Sequence, residues 1–241
     1  MEAKTGRDDS LTPRWLTLFG WGALGFLVFT QAFGILTSPP DRDMGDLQKI
    51  MYVHVPTASV GLMAYGVVFL FGVLYLWKRD LRYDLVAASA AQVGAVFAAA
   101  TLVTGSIWAR PTWNTWWTWD ARLTSMAVLF LMYVGYLVLR AFTEDEIRRA
   151  RWSAAIAGLG FINSYIVYMS VRWWRTIHQF QSSGGTVDPR YGRDLGLNSL
   201  AMILVFLYLI VARYRVARVV RDVETRIEEK ALAPHAEKVH V

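Results

Sequence analysis

Apolar residues fall along this chain in six long runs, near 15–36, 57–77, 85–107, 123–140, 152–171 and 195–212. A helix needs roughly 20 residues to cross a hydrocarbon core of about 30 Å, and each run meets that length. Charged residues are almost absent inside the runs and collect between them. No alternation of apolar and polar positions punctuated by turn residues is present, which argues against a transmembrane barrel. The pattern predicts an all-α, polytopic membrane protein with six transmembrane helices. The first run, Trp15 to Leu36, is too long for the apolar core of a signal peptide. It ends in TSPP and not in a small-x-small cleavage site, so it reads as the first span.

The segments between the runs set an orientation. With the N-terminus in the cytoplasm, 17 of the 25 lysines and arginines lie on the inner side and 8 on the outer side. The positive-inside rule favours that arrangement, so both termini are expected to be cytoplasmic. The chain then divides into an N-terminal cytoplasmic segment (1–14), a six-helix membrane domain (15–212) with an outer loop at 108–122, and a cytoplasmic tail (213–241). Within that tail, Val216, Val219, Val220, Val223 and Ile227 recur at helical spacing. Two readings fit that stripe: a helix resting on the inner membrane surface, or one that binds a partner.

Composition agrees with this reading and narrows the chemistry. Apolar residues make up 55% of 241 residues, which outweighs the usual expectation of one or two soluble domains. The net charge of +6 is accounted for by the basic inner loops and does not call for nucleic acid. There are no cysteines, so a disulfide framework, a thiolate metal site and haem attachment through the chain's own thiols are excluded. The runs carry no acidic or basic group at membrane depth for an ion pathway. No phosphate-binding GK[ST] loop is present, so nucleotide hydrolysis is not this chain's work, and no HExxH or carboxylate pair points to a classical enzyme.

What remains lies on the outer side. His54, in MYVHVPTA, precedes the second run, and His178, in VRWWRTIHQF, follows the fifth. A single histidine at a membrane boundary is ordinarily just an amphipathic residue. Two at the same boundary are also a candidate ligand pair, because neutral imidazole binds haem iron and zinc. Between them comes WNTWWTWD, with Trp113, Trp116, Trp117 and Trp119 followed by Asp120. An aromatic belt at the headgroups explains Trp15, Trp21, Trp77 and Trp152. It explains poorly why 7 of 11 tryptophans lie at or beyond the outer boundary. Were 113–119 helical, with Pro111 in its first turn, Trp113, Trp116 and Trp117 would share a face as an aromatic shelf. Arg110 and Arg122 bracket the tryptophans, and Arg172 and Arg175 flank Trp173 and Trp174. Arginine suits carboxylates, although a charged headgroup rim is the plainer reading. Asp120 is also placed to cap the fourth helix. Imidazoles, indoles and arginines together fit haem, whose iron sits in a flat apolar ring bearing two propionates. A quinone or lipid headgroup could use the indoles and arginines alone.

The stretch GSIWARPTWNTWWTWDARLTS, at 105–125, resembles the WWD signature of the cytochrome c assembly superfamily. With six spans, MYVHVPTA and VRWWRTIHQ, the chain resembles the short form of that superfamily, the haem exporter protein C (CcmC) family of System I maturation. The resemblance covers about 15–215. It implies non-covalent haem b on the periplasmic face of the bacterial inner membrane, with His54 and His178 as axial ligands. It implies haem contact by Trp113, Trp116, Trp117, Trp119 and Asp120. The implied partners are a membrane-anchored haem chaperone that receives the haem, an ABC transporter ATPase and its membrane subunit, and a small single-span subunit. The sequence departs from the family pattern at Ala109 and Asn114, where glycine is common, and at Asn163–Ser164, where proline is common. Two other readings stand beside haem delivery. One is a structural membrane subunit of an ABC-type complex whose tryptophans only anchor it. The other is a haem or quinone electron-transfer protein, which would place histidines at two depths. Larger WWD proteins that act as haem ligases have more spans and more histidines than this chain.

Overall fold

The computed structural model describes residues 12–178 and 189–236. They form six long helices: α1 (Arg14–Thr37), α2 (Met51–Lys78), α3 (Leu81–Trp113), α4 (Ala121–Phe142), α5 (Glu146–Trp173) and α6 (Pro189–Ala236). All six contain a stretch long and apolar enough to cross a membrane. Among the described residues the only sheet-like pairing is one isolated bridge between Asp41 and Gly45.

Local chemistry accounts for most helix ends. Ser38 stops α1 in an extended conformation, as a residue before proline must, and Pro39 and Pro40 follow. Asp41 then accepts hydrogen bonds from the Asp43 and Met44 amides, closing a turn whose last residue, Gly45, has φ 58°. A short 3-10 turn at Asp46–Ile50 feeds directly into α2. Three aspartates cap the next helices: Asp80 bonds the Arg82 amide, Asp120 the Leu123 amide and Asp145 the Arg148 amide. Arg79 and Asn114 end α2 and α3 in the left-handed region, with φ 57° and 56°. Asparagine tolerates that region better than most residues, so Asn114 does the work of the glycine common in the family pattern.

Pro56 lies inside α2 and cannot donate to the Tyr52 carbonyl one turn earlier. Gln31 of α1 supplies the missing bond, its Nε2 donating to Tyr52 O at 3.0 Å. A single polar side chain is thus matched to one specific backbone gap. Asn163 has a similar use: α5 runs unbroken through it, and its Nδ2 donates to Ser125 O at 3.1 Å.

Helix α2 is the centre of the bundle, packed against α3, α5 and α6, while α4 closes against α3 and α5 and α1 lies on α6. Small residues let aromatic ones in. The Tyr65 and Tyr133 rings pack at a tilt of 36° with centroids 4.1 Å apart, and Gly160 and Gly94 leave the space they fill. At the end of the bundle opposite the histidines, Arg140 donates to both carboxylate oxygens of Asp84, at 2.6 and 2.8 Å, and to Ser153 at 3.2 Å. That pair ties α3, α4 and α5 together.

Two expectations need correction. WNTWWTWD is not helical: α3 continues through Pro111 to Trp113, Asn114 ends it, and residues 115–120 are irregular. The three indoles therefore do not share a helical face. The boundary expected at residue 213 is also absent: the apolar stripe Val216–Ile227 continues the last span without a break, in a helix of 48 residues. At 1.5 Å per residue that is about 72 Å, more than twice a hydrocarbon core of about 30 Å. No glycine or proline stands between Gly196 and Pro234 to interrupt it.

Candidate functional site

The C-terminal end of α3 is the wall on which both histidines rest. Thr104, Gly105, Trp108 and Thr112 follow one another at helical spacing. His54, in the turn of α2 that precedes Pro56, meets the first three. Its Nδ1 is 2.9 Å from Thr104 Oγ1, and its ring stands edge-on to Trp108 with centroids 5.7 Å apart. A Cβ added at Gly105 would stand 3.0 Å from the imidazole Cε1, so glycine favours this close approach of α3.

His178 arrives from the irregular segment after α5. It stands edge-on to Trp113, the last residue of α3, with centroids 5.2 Å apart. Asp120 secures the segment that carries it. One carboxylate oxygen accepts the Leu123 amide at 2.8 Å, capping α4. The other accepts the Thr176 hydroxyl at 2.7 Å and the Ile177 amide at 3.2 Å. Thr176 in turn accepts the His178 amide at 3.2 Å. Hydrogen bonds to those groups outweigh the opposing effect of burial and hold the Asp120 carboxyl below the usual range. His178 Nδ1 is 3.7 Å from Asp120, too far for a hydrogen bond. Burial, helped by the positive charge of Arg122 and opposed by Asp120, pushes the His178 imidazole down to about 4. It is neutral at pH 7, the state in which imidazole binds metal.

Both histidines and Arg122 lie within electrostatic reach of one another. Arg122 is half-buried beside them, whereas the other three arginines are exposed. Arg110 is turned onto Asn114, donating to its carbonyl at 2.9 Å and to its side chain. Arg172 sits 5.9 Å from the centre of the Tyr168 ring. The structure thus brings Arg122 to the histidines and leaves Arg110, Arg172 and Arg175 at the rim.

The tryptophans divide in the same way. Trp113 faces His178, and Trp117 packs edge-on against Trp119 with centroids 5.7 Å apart. The Trp117 indole nitrogen is buried, while Trp116 and Trp119 are 59% and 82% exposed. Trp173 and Trp174 are each about half exposed, edge-on to one another.

Six buried polar atoms in this layer have no hydrogen-bond partner: Trp108 Nε1, Thr112 Oγ1, Trp117 Nε1, Thr118 Oγ1, Thr124 Oγ1 and His178 Nδ1. An unsatisfied buried group costs about 1–3 kcal/mol, so a concentration of them marks a place shaped for a missing partner. Indole nitrogens only donate and threonine hydroxyls readily do. The partner they fit is rich in acceptors, as a carboxylate is. Haem matches on every count: iron for two neutral imidazoles, a flat ring for indoles, and propionates for Arg122 and the unpaired donors.

Sequence reasoning missed Thr104, Gly105 and Thr176. A threonine inside an apolar helix usually bonds its own backbone, as Thr101 does to Phe97 O at 2.8 Å, so nothing local marks Thr104 as different.

A family model described as "Heme exporter protein C" matches residues 3–231. A heme exporter protein C of Bradyrhizobium diazoefficiens is 39% identical over 197 residues, 78% of this chain and 74% of that one. That of Escherichia coli K12 is 33% identical over 222 residues, 88% of this chain and 90% of that one. A putative cytochrome c biosynthesis ccmC-like mitochondrial protein of Marchantia polymorpha is 39% identical over 160 residues, 65% and 68% of the two chains. With a match that runs through all six long helices and both histidines, the chain belongs to the heme exporter protein C family.

Proposed function

We propose that this chain holds haem b non-covalently at the outer, periplasmic face of the bacterial inner membrane and delivers it to a membrane-anchored haem chaperone during cytochrome c biogenesis. Family membership supports a part in haem handling for cytochrome c maturation. The observation that carries the finer reading is the convergence of two imidazoles and Arg122 on the one layer rich in buried, unpaired donors.

In this reading haem is cargo, and its iron takes an axial ligand from each side. His54 and His178 are the axial ligands. Trp108 and Trp113 hold the two imidazoles edge-on, so the ligand planes are set before haem enters. Trp116, Trp117 and Trp119 border the ring, with Asp120 holding the loop that carries them. Arg122 balances propionate charge in a partly desolvated place, where an arginine–carboxylate pair is stronger than in water. Nothing in the site forms a covalent bond to the cargo, which suits a carrier that must release it. Both termini lie in the cytoplasm. The energy of nucleotide hydrolysis comes from an ABC transporter ATPase and its membrane subunit, with a small single-span subunit beside them.

An absorption spectrum of the purified protein tests the ligands. Wild type is expected to show a haem b spectrum, and His54→Gly combined with His178→Gly to lose most of the bound haem. Unchanged haem content and spectrum in the double variant reject the assignment. A structural subunit predicts instead that Trp116→Leu and Trp117→Leu alter assembly and leave haem content alone. An electron carrier predicts two haems at different depths in a redox titration.

A further inference from the structure

The structure assigns to Thr104 the task of fixing which nitrogen of His54 faces the iron. This positioning role rests on the reading of His54 as a haem ligand. A hydroxyl has one hydrogen to give and two lone pairs to receive with. Thr104 Oγ1 gives its hydrogen to the helix, 2.8 Å from Ala100 O and 3.3 Å from Thr101 O. What remains toward His54 Nδ1, at 2.9 Å, is a lone pair. The contact is therefore Nδ1–H donating to threonine. With the proton on Nδ1, the lone pair available to a metal is the one on Nε2.

Three features hold this arrangement. His54 and Thr104 stand on packed helices, α2 and α3, which are in extensive contact. Gly105 allows the separation: a Cβ there would press within 3.0 Å of Cε1 and displace the ring from the hydroxyl. Trp108, edge-on to the imidazole with centroids 5.7 Å apart, packs against the same ring. His178 has no equivalent partner, since its Nδ1 is buried without a hydrogen bond. The two ligands are thus prepared differently. His54 waits in one tautomer, whereas His178 settles its own when iron arrives. Partners of this kind commonly change metal affinity by about 10–100-fold when removed.

The tautomer can be read without haem. The chain has four histidines, so 15N-labelled imidazoles give four ring patterns in an NMR spectrum of the haem-free protein. The one lost in His54→Gln is assigned to His54. In wild type and Thr104→Ser, His54 is expected to be protonated at Nδ1. In Thr104→Val, which keeps the shape and removes the acceptor, that preference is expected to disappear. A wild-type His54 protonated at Nε2, or a Thr104→Val spectrum unchanged from wild type, overturns the proposal. Titration with ferric haem gives the second readout. Thr104→Val is expected to bind about 10–100-fold more weakly and to lose low-spin character, and Thr104→Ser to restore both. Equal affinity and an equal spectrum in Thr104→Val, while His54→Gly loses haem, also overturn it. If His54→Gly binds haem normally, the ligand reading fails, and the NMR result alone decides the tautomer. Unaltered patterns for the other histidines in Thr104→Val exclude simple misfolding.

Discussion

Asp120 carries the last letter of the WWD signature, and both its oxygens are engaged by the protein itself. One caps α4 and the other ties down the segment that presents His178. Asp120→Asn separates these uses. The amide oxygen still accepts the Leu123 amide, but the NH₂ group cannot accept from Thr176 and Ile177. Two hydrogen bonds to a charged acceptor are lost, at about 1.5–3 kcal/mol each. The expected outcome is a haem spectrum that changes from six-coordinate low-spin toward five-coordinate, with lowered occupancy and α4 still folded. An unchanged electron paramagnetic resonance spectrum in Asp120→Asn would show that the latch does not position His178. At this scale the sequence was informative about unusual residues and silent about ordinary ones. His54 and His178 were found because few imidazoles compete with them. Thr104 was not, because its role depends on a residue 50 positions away.

Among the elements, the N-terminal end of α2 shows how a helix defect is repaired across the bundle. Pro56 leaves the Tyr52 carbonyl unbonded within the helix, and Gln31 of α1 answers it. Gln31→Leu should strand that carbonyl and destabilise the protein by about 1–3 kcal/mol. Adding Pro56→Ala supplies a backbone N–H to the same carbonyl, so the double variant should recover most of the loss. Thermal unfolding in detergent checks the cycle. Additive effects of the two substitutions would mean that they do not share this carbonyl. Helix existence and order were legible from the apolar runs, because burial in lipid demands long apolar segments with every backbone group satisfied. Helix ends were less so. Helix α3 continues past its apolar run and through Pro111 until Asn114 turns it. For that reason the tryptophan loop is shorter than the pattern predicts and irregular.

Taken as a whole, the molecule is polarised along its long axis. Both imidazoles and the unpaired indole and threonine donors lie at one end, and the Asp84–Arg140 pair closes the other. Its two side chains are only 6% and 12% exposed, so breaking it leaves an uncompensated buried charge. Arg140→Leu should cost about 3–5 kcal/mol, whereas removing both charges with Asp84→Leu and Arg140→Leu should cost much less. Melting temperatures of the two variants decide between that and a pair worth its own energy. Haem affinity should be nearly unchanged in the double variant, because the pair and the histidines lie at opposite ends.

The sequence by itself determined the all-α class, the six apolar spans and the family, since each follows from length, hydropathy or a dense local motif. Only the tertiary structure decided what faces what. It put Arg122 beside the imidazoles and left Arg110, Arg172 and Arg175 at the rim. It gave Asp120 to the His178 segment, and it set Thr104 against His54. Those pairings join helices far apart in the chain. They depend on how α2, α3, α4 and α5 pack, which is governed by small residues and aromatic shape with no local signature in the sequence.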